Sequence, residues 1–188
     1  LFACSEIAGR DRYGRNADVL ILNNAIDSET FSFDMGTCSQ VKKNLGIENR
    51  TVIGHIGRFV NAKNHSFLLE IFHEIVRKKP DAVLLLVGDG GLRSEIEAKA
   101  DTLGIRENVI FTGVRSDVSD LLQAMDVFVF PSLYEGLPVT LVEAQGTGLP
   151  CVISDKVPAE SILTEDLVTV MRLKDSAEAW ADHILSRL

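Results

Sequence analysis

AVLLLVGD, residues 82–89, is an unbroken apolar run that ends in a glycine and a charge. A strand with one wet face alternates apolar and polar residues; one that does not alternate is covered on both faces, as in a parallel sheet flanked by helices. The surrounding sequence repeats the pattern. Upstream, TVIGHIGR (51–58) is β-rich and apolar, and NHSFLLEIFHEIVRKK (64–79) sets Phe67, Leu68, Ile71, Phe72, Ile75 and Val76 on one helical face. Asn64 is placed as its N-cap and Pro80 follows its end. Downstream come a helix over 91–104 closed by Gly104, NVIFTG (108–113), a helix over 116–124 and DVFVFPS (126–132). A helix from Pro138 to about Thr147, PCVISD (150–155), a helix near 158–163, a strand in LVTVM (167–171) and a helix from Ser176 complete the series. Alternation of this kind, with right-handed crossovers, predicts an α/β domain: a Rossmann-like doubly wound parallel sheet.

The first 36 residues read differently. LFACS suits the tail of a strand and ADVLILNNA (17–25) another short one, after which NNAIDSETFSFD (23–34) is an irregular polar connection. TCSQVKKNLG (37–46) then reads as a helix closed by Gly46. Residues 1–36 are therefore assigned to the end of a preceding domain and a linker, and 37–188 to the α/β domain, with Leu1 as the start of an excised piece of a longer protein. A chain of 188 residues that is 46% hydrophobic can bury one sizeable core. Net charge of −8 argues against a broad nucleic-acid surface. No run is apolar enough to span a bilayer and no signal peptide opens the chain, so a cytoplasmic location is expected. Cys4, Cys38 and Cys151 are odd in number, fit no metal spacing, and predict buried thiols in a reducing compartment.

Ligands of an open α/β sheet bind outside the carboxyl ends of its strands, and this filters the motifs. After strand 51–58, Arg58 and Lys63 flank the N-terminus of the next helix, where free N–H groups already favour an anion. They read equally as a fork and a point charge for a diphosphate or as solvated surface cations. His65 is assigned to the first helical turn and His55 to the core. GDGGLR (88–93) is a glycine-rich turn at Gly88 that either lets a nucleotide approach the backbone or is simply tight, since Arg93 stands where a dinucleotide fingerprint has its third glycine. The backbone at Val114 and Arg115 could read a base edge.

PSLYEGLPVTLVEAQGTGLP (131–150) follows the fourth of these strands. Pro138 suits the first position of a helix, whose N–H groups at Leu137, Val139 and Thr140 can face the same anion. Glu135 lies in the loop, and Glu143 in the second turn, where a side chain leaning back can reach the cleft. Their eight-residue spacing carries no information, because Asp81 and Asp89 share it. The competing assignments are a dipole-compensating Glu135 and a solvated Glu143. An apolar helix around Glu143 predicts that its carboxylate is partnered. Two converging helix N-termini make the pair sugar and ribose ligands.

GRFVNAKNH, LLLVGDGGL, VIFTGVRSDV, DVFVFPSLYEGLPVTLVEA and GLPCVISD stand in the order of a known family. Over about residues 1–173 the chain resembles the C-terminal donor-binding domain of glycosyltransferase family 4, one half of the two-domain GT-B fold, in its bacterial capsular and exopolysaccharide type. NNAIDSETFSFD resembles that family's interdomain linker, with Ala25 in place of the usual glycine. The resemblance implies that Arg58 and Lys63 hold the donor diphosphate and that Glu143 binds ribose hydroxyls. Glu135 and the backbone of Gly136, Leu137 and Val139 would position the sugar and its phosphate, while Val114, Arg115 and the Gly88 turn would border the base. It further implies a retaining transferase that uses a nucleotide-diphosphate sugar, no cofactor and no metal. A saccharide or lipid-linked acceptor would be taken by an N-terminal domain outside this chain. The full-length protein would be cytoplasmic, with peripheral contact at the inner membrane face, and the 188 residues alone would bind a nucleotide but transfer nothing. Competing classes are a nicotinamide-dependent dehydrogenase, which needs a glycine fingerprint after the first strand, a sugar-nucleotide epimerase, and a non-catalytic nucleotide-binding module.

Overall fold

The computed structural model describes residues 1–3, 6–14, 17–22 and 25–188. Strands β1 (Phe2–Ala3) and β2 (Leu20–Ile21) pair in parallel as a separate two-stranded sheet, joined through helix α1 (Glu6–Tyr13). That helix is absent from the sequence reading, because residues 6–13 are polar and carry no apolar stripe. Cys4, Asn23 and Asn24, which belong to LFACS and to the linker motif, lie outside the described residues. The connection that follows is tied to the main body. Gln123, almost fully buried, accepts from the Asp34 N–H at 2.9 Å and donates to the Ser32 carbonyl at 2.8 Å. Asp34 then caps helix α2 (Met35–Leu45) by accepting from the Thr37 N–H, and Gly46 ends it in the left-handed conformation.

Strands β3 (Thr51–Ile56), β4 (Ala82–Val87), β5 (Val109–Gly113), β6 (Val127–Phe130), β7 (Cys151–Ser154) and β8 (Val168–Met171) form one sheet, in spatial order β5-β4-β3-β6-β7-β8. Every ladder is parallel. Helices α3 (His65–Lys78), α4 (Arg93–Thr102), α5 (Val118–Gln123), α6 (Val139–Gly146) and α7 (Ala177–Leu185) complete the doubly wound α/β fold. Alternate residues of each strand go to opposite faces. Ile53, Leu84, Leu86, Val127 and Val129 meet Leu68, Phe72 and Ile75 of α3 and Trp180 of α7. Val52, Val83, Leu85, Phe128 and Phe130 share a cluster with Leu121 and Leu122 of α5 and Leu141 of α6. Both faces are thus dry, which is why the strands read as continuous apolar runs.

Three local expectations change. The helix expected near 158–163 is a 3₁₀ turn at Ala159–Ser161. Pro138 stands at the N-cap, not at the first helical position; its ψ of 100° keeps it extended. Of the cysteines described, Cys151 is buried, with a thiol pushed up to about 12 by burial, whereas Cys38 is only half-buried.

Candidate functional site

The strand order reverses direction once, between β3 and β6: β3 leads outward to β4 and β5, and β6 leads the other way to β7 and β8. The loops leaving two adjacent strands at such a point diverge to opposite sides and open a crevice between them. Here those loops are 57–64 and 131–138, so topology alone brings Arg58, Lys63, Glu135 and Gly136 to one place.

Lys63 closes a 3₁₀ turn (Asn61–Lys63) just before α3. Its stem passes over Gly57, where an added Cβ would stand 3.2 Å from Lys63 Cδ. Its ammonium lies 4.6 Å from the Phe130 ring centre and donates to Glu135 Oε1 at 2.7 Å. Side-chain exposure of 18% for Lys63 and 10% for Glu135 makes this a sheltered pair, unlike solvated pairs such as Lys78–Glu178. Arg58, by contrast, is exposed and makes no ion pair among the described residues. A paired lysine and a free arginine therefore share the crevice.

The second helix N-terminus is open. Among the described residues no side chain caps α6, and the N–H groups of Leu137, Val139 and Thr140 have no acceptor. Gly136 is exposed, with nothing within 4 Å of where a Cβ would stand. Glu143, in the second turn, is half-buried and has no hydrogen-bond or ion-pair partner among the described residues. Desolvation raises its carboxyl above the ordinary range. The partner expected for it is thus not found among the described residues, where its oxygens remain available to hydroxyl donors.

Gly88 makes the tight turn, one of the two readings its motif allows. At φ 131° it is closed to other residues, and a Cβ there would be driven into the Gly57 carbonyl. At Gly90 a Cβ would stand 2.6 Å from the Phe59 carbonyl oxygen. Phe59 N–H donates to the Asp89 carbonyl and Leu92 N–H to the Phe59 carbonyl, at 3.0 and 3.1 Å. The close approach that these glycines permit is therefore made by the chain's own backbone, which zips the β3 loop to the β4 loop. Val114 is 81% exposed beyond β5. The side chain of Arg115 is held by both carboxylate oxygens of Asp117, at 2.8 and 2.5 Å, leaving its backbone free.

His55 is buried in the core and His65 opens α3, both as expected, and His65 is buried as well. Their rings meet edge to face at 4.7 Å, and His65 stacks on Phe59 at 4.2 Å. Burial, with Lys63 nearby, lowers His65 to about 4, and burial with the neighbouring His65 lowers His55 as well. Both are neutral at pH 7 and furnish an uncharged floor. Sequence reasoning missed two contributors, the Phe130 ring under Lys63 and the side chain of Asn64. Asn64 is the N-cap of α3 but makes no capping bond; its amide donates to the Pro131 carbonyl at 3.0 Å. Among the described residues no group of three His, Cys, Asp or Glu side chains could hold a metal ion.

The fold is that of GT-B glycosyltransferases. HepE of Anabaena, solved with UDP and glucose, superposes with a TM-score of 0.86 at 22% identity, over 98% of this chain and 52% of its own. WaaG, a glycosyltransferase involved in lipopolysaccharide biosynthesis, gives 0.83 at 23% identity over the same shares. The sequence profile described as Glycosyl transferases group 1 matches residues 50–188. EpsF of Bacillus subtilis (strain 168) is 40% identical over 189 aligned residues, 98% of this chain and 49% of EpsF. The Escherichia coli UDP-Gal:alpha-D-GlcNAc-diphosphoundecaprenol alpha-1,3-galactosyltransferase is 33% identical over 154 residues, 80% of this chain and 40% of that enzyme. This chain belongs to the glycosyl transferases group 1 family, and it spans about half the length of the curated relatives it matches.

Proposed function

We propose that the chain is the donor-binding, C-terminal domain of a retaining glycosyltransferase that moves a sugar from a nucleotide-diphosphate sugar to a growing extracellular polysaccharide or a lipid-linked saccharide. The observation that carries this reading is the arrangement at the β3/β6 switch point: a free arginine, a sheltered lysine and an open helix N-terminus around one crevice, with an unpartnered carboxylate on that helix. An anion suits the first three, and vicinal hydroxyls suit the fourth. UDP and glucose in HepE and the UDP-galactose donor in the name of the E. coli relative favour a uridine nucleotide. The Vi polysaccharide biosynthesis protein of Salmonella typhi, 42% identical over 102 residues, favours a polysaccharide product.

In this mechanism Arg58, Lys63 and the N–H groups at Leu137, Val139 and Thr140 hold the diphosphate and act most strongly as negative charge grows on it when the sugar departs. Glu143 takes the ribose hydroxyls, and Glu135 orients the transferred sugar without serving as a base. The backbone at Val114 and Arg115 borders the base, and Gly88 supports that border from beneath. No cofactor or metal is required. The acceptor is held by a further domain, so residues 1–188 alone bind nucleotide without transferring sugar, and residues 1–36 form the connection. No helix among the described residues is long and apolar enough to cross a membrane. We place the whole enzyme in the cytoplasm, touching the inner membrane face peripherally.

The test is ligand-observed NMR with UDP, GDP, ADP and NAD, repeated on Glu143→Ala. One nucleoside diphosphate should bind and be weakened by the substitution. Binding of NAD alone, or of nothing, would refute the donor-site reading.

A further inference from the structure

Among the described residues Asn64 is the one non-glycine with positive φ, at φ 55° and ψ 41°. Asparagine tolerates that region better than most residues, but glycine tolerates it at lower cost. Its side chain is also diverted from its usual task. An asparagine N-cap ordinarily accepts from the N–H groups of the first turn. Here the amide instead crosses to the neighbouring loop and donates to Pro131, whose buried carbonyl takes no other hydrogen bond among the described residues. Two consequences follow together: the first N–H groups of α3 stay uncapped, and the start of the β6 loop is fixed to the start of α3.

The fixing is repeated along the loop. Ser154 Oγ donates to the Ser132 carbonyl, Leu133 N–H donates to the Ala62 carbonyl at 2.8 Å, and Lys63 reaches Glu135. Residues 131, 132, 133 and 135 are each anchored from outside the loop, and two of those anchors, Ala62 and Lys63, immediately precede Asn64 in sequence. Lys63 immediately precedes Asn64, so the left-handed turn that sends the chain into α3 also aims the lysine.

We propose that Asn64 is a positioning residue for the donor site: its left-handed backbone and its amide bond to Pro131 together set the height of the β6 loop and hence the meeting of Lys63 with Glu135. The proposal rests on the donor-site reading above. Asn64 touches no substrate in it; it acts through Lys63 and Glu135.

Three variants of the intact protein separate this role from simple stabilisation. Asn64→Gly keeps the backbone conformation and removes the amide. Asn64→Asp keeps the size and presents an acceptor to an acceptor. Asn108→Ala is the control, since Asn108 Nδ2 also holds a strand carbonyl, that of Ala82 at 2.9 Å, at the far end of the sheet. Two quantities are read: the Kd for UDP, GDP and ADP, and the ¹⁵N NMR signal of the Lys63 ammonium, which an internal ion pair protects from exchange with water. Asn64→Gly and Asn64→Asp should each weaken the preferred nucleotide about tenfold, the worth of one well-placed hydrogen bond, and broaden the Lys63 signal. Asn108→Ala should lower Tm about as much as the Asn64 variants do and change neither the Kd nor the Lys63 signal. Wild-type affinity in both Asn64 variants would overturn the positioning role while leaving the donor site standing. Equal losses of affinity in Asn108→Ala would overturn it too. Failure of the unsubstituted protein to bind any of the three nucleotides would remove the donor site and this inference together.

Discussion

The two helix N-termini at the switch point are built on opposite plans. That of α3 is locked: Asn64 bridges to Pro131, His65 stacks on Phe59, and the preceding loop is zipped to the β4 loop through Gly88 and Gly90. That of α6 is open: Pro138 caps it without a side-chain bond, Gly136 is exposed and uncrowded, and Glu143 has no partner among the described residues. An anion site needs fixed charge, because reorganising charges during reaction costs energy. A site that must admit and release a sugar needs an edge that is not already filled. The crevice joins one rigid wall to one accessible wall, and the Lys63–Glu135 pair is the ion pair between them.

Gly88→Ala strikes the rigid wall hardest. Its Cβ has no room beside the Gly57 carbonyl and its φ is left-handed, so stability should fall by about 3 kcal/mol or more, seen in chemical denaturation. Gly136→Ala, the matching change on the open wall, should stay within about 0.5 kcal/mol, since nothing lies near. A similar cost at both positions would erase the distinction. Lys63→Ala should cost nucleotide binding about 3 kcal/mol, two orders of magnitude in Kd, because it removes a charge and leaves Glu135 facing the anion. Titration calorimetry measures that loss.

Acid tests the neutral floor of the locked wall. The folded value of His65, about 4, lies below its ordinary 6.5, so the folded state resists protonation that the unfolded chain accepts. The stability is complete above pH 6.5 and is lost as pH falls toward 4, by up to about 3 kcal/mol. His65→Phe should remove its share of the slope in urea melts across pH 4–7 and leave the share of His55. The smallest effect concerns Glu143. Its raised carboxyl means that ionisation opposes folding, so Glu143→Gln should raise Tm slightly at pH 7, and the gain should vanish as pH falls through the folded value. A loss of stability at pH 7 would show that Glu143 has a protein partner after all.

Much of this was legible in sequence for identifiable reasons. Strands buried on both faces cannot hide their composition, so β3, β4, β5, β6 and β7 were read within a residue or two of their observed ends. Gly46 and Gly104 ended helices as expected because each occupies the left-handed region that follows a helix. Short elements stabilised by packing were not legible: α1 lacks an apolar stripe, and the turn at Ala159–Ser161 is too short to show a period. The candidate residues could be named from their places at strand ends, but their partners could not. Arg115 is engaged by Asp117, Lys63 by Glu135, and Glu143 by nothing among the described residues.

The sequence by itself determined that this chain makes a doubly wound sheet and which loops leave its carboxyl edge, because burial and chain reversal are written in composition and periodicity. Only the tertiary structure decided that Gly88 makes a backbone crossing, that the Asn64 amide serves its neighbour loop and not its own helix, and that one glutamate is engaged by a lysine while the other has no partner among the described residues. Those outcomes depend on hydrogen bonds between residues up to 72 apart in the chain, and no local pattern encodes which of several acceptors a donor will meet.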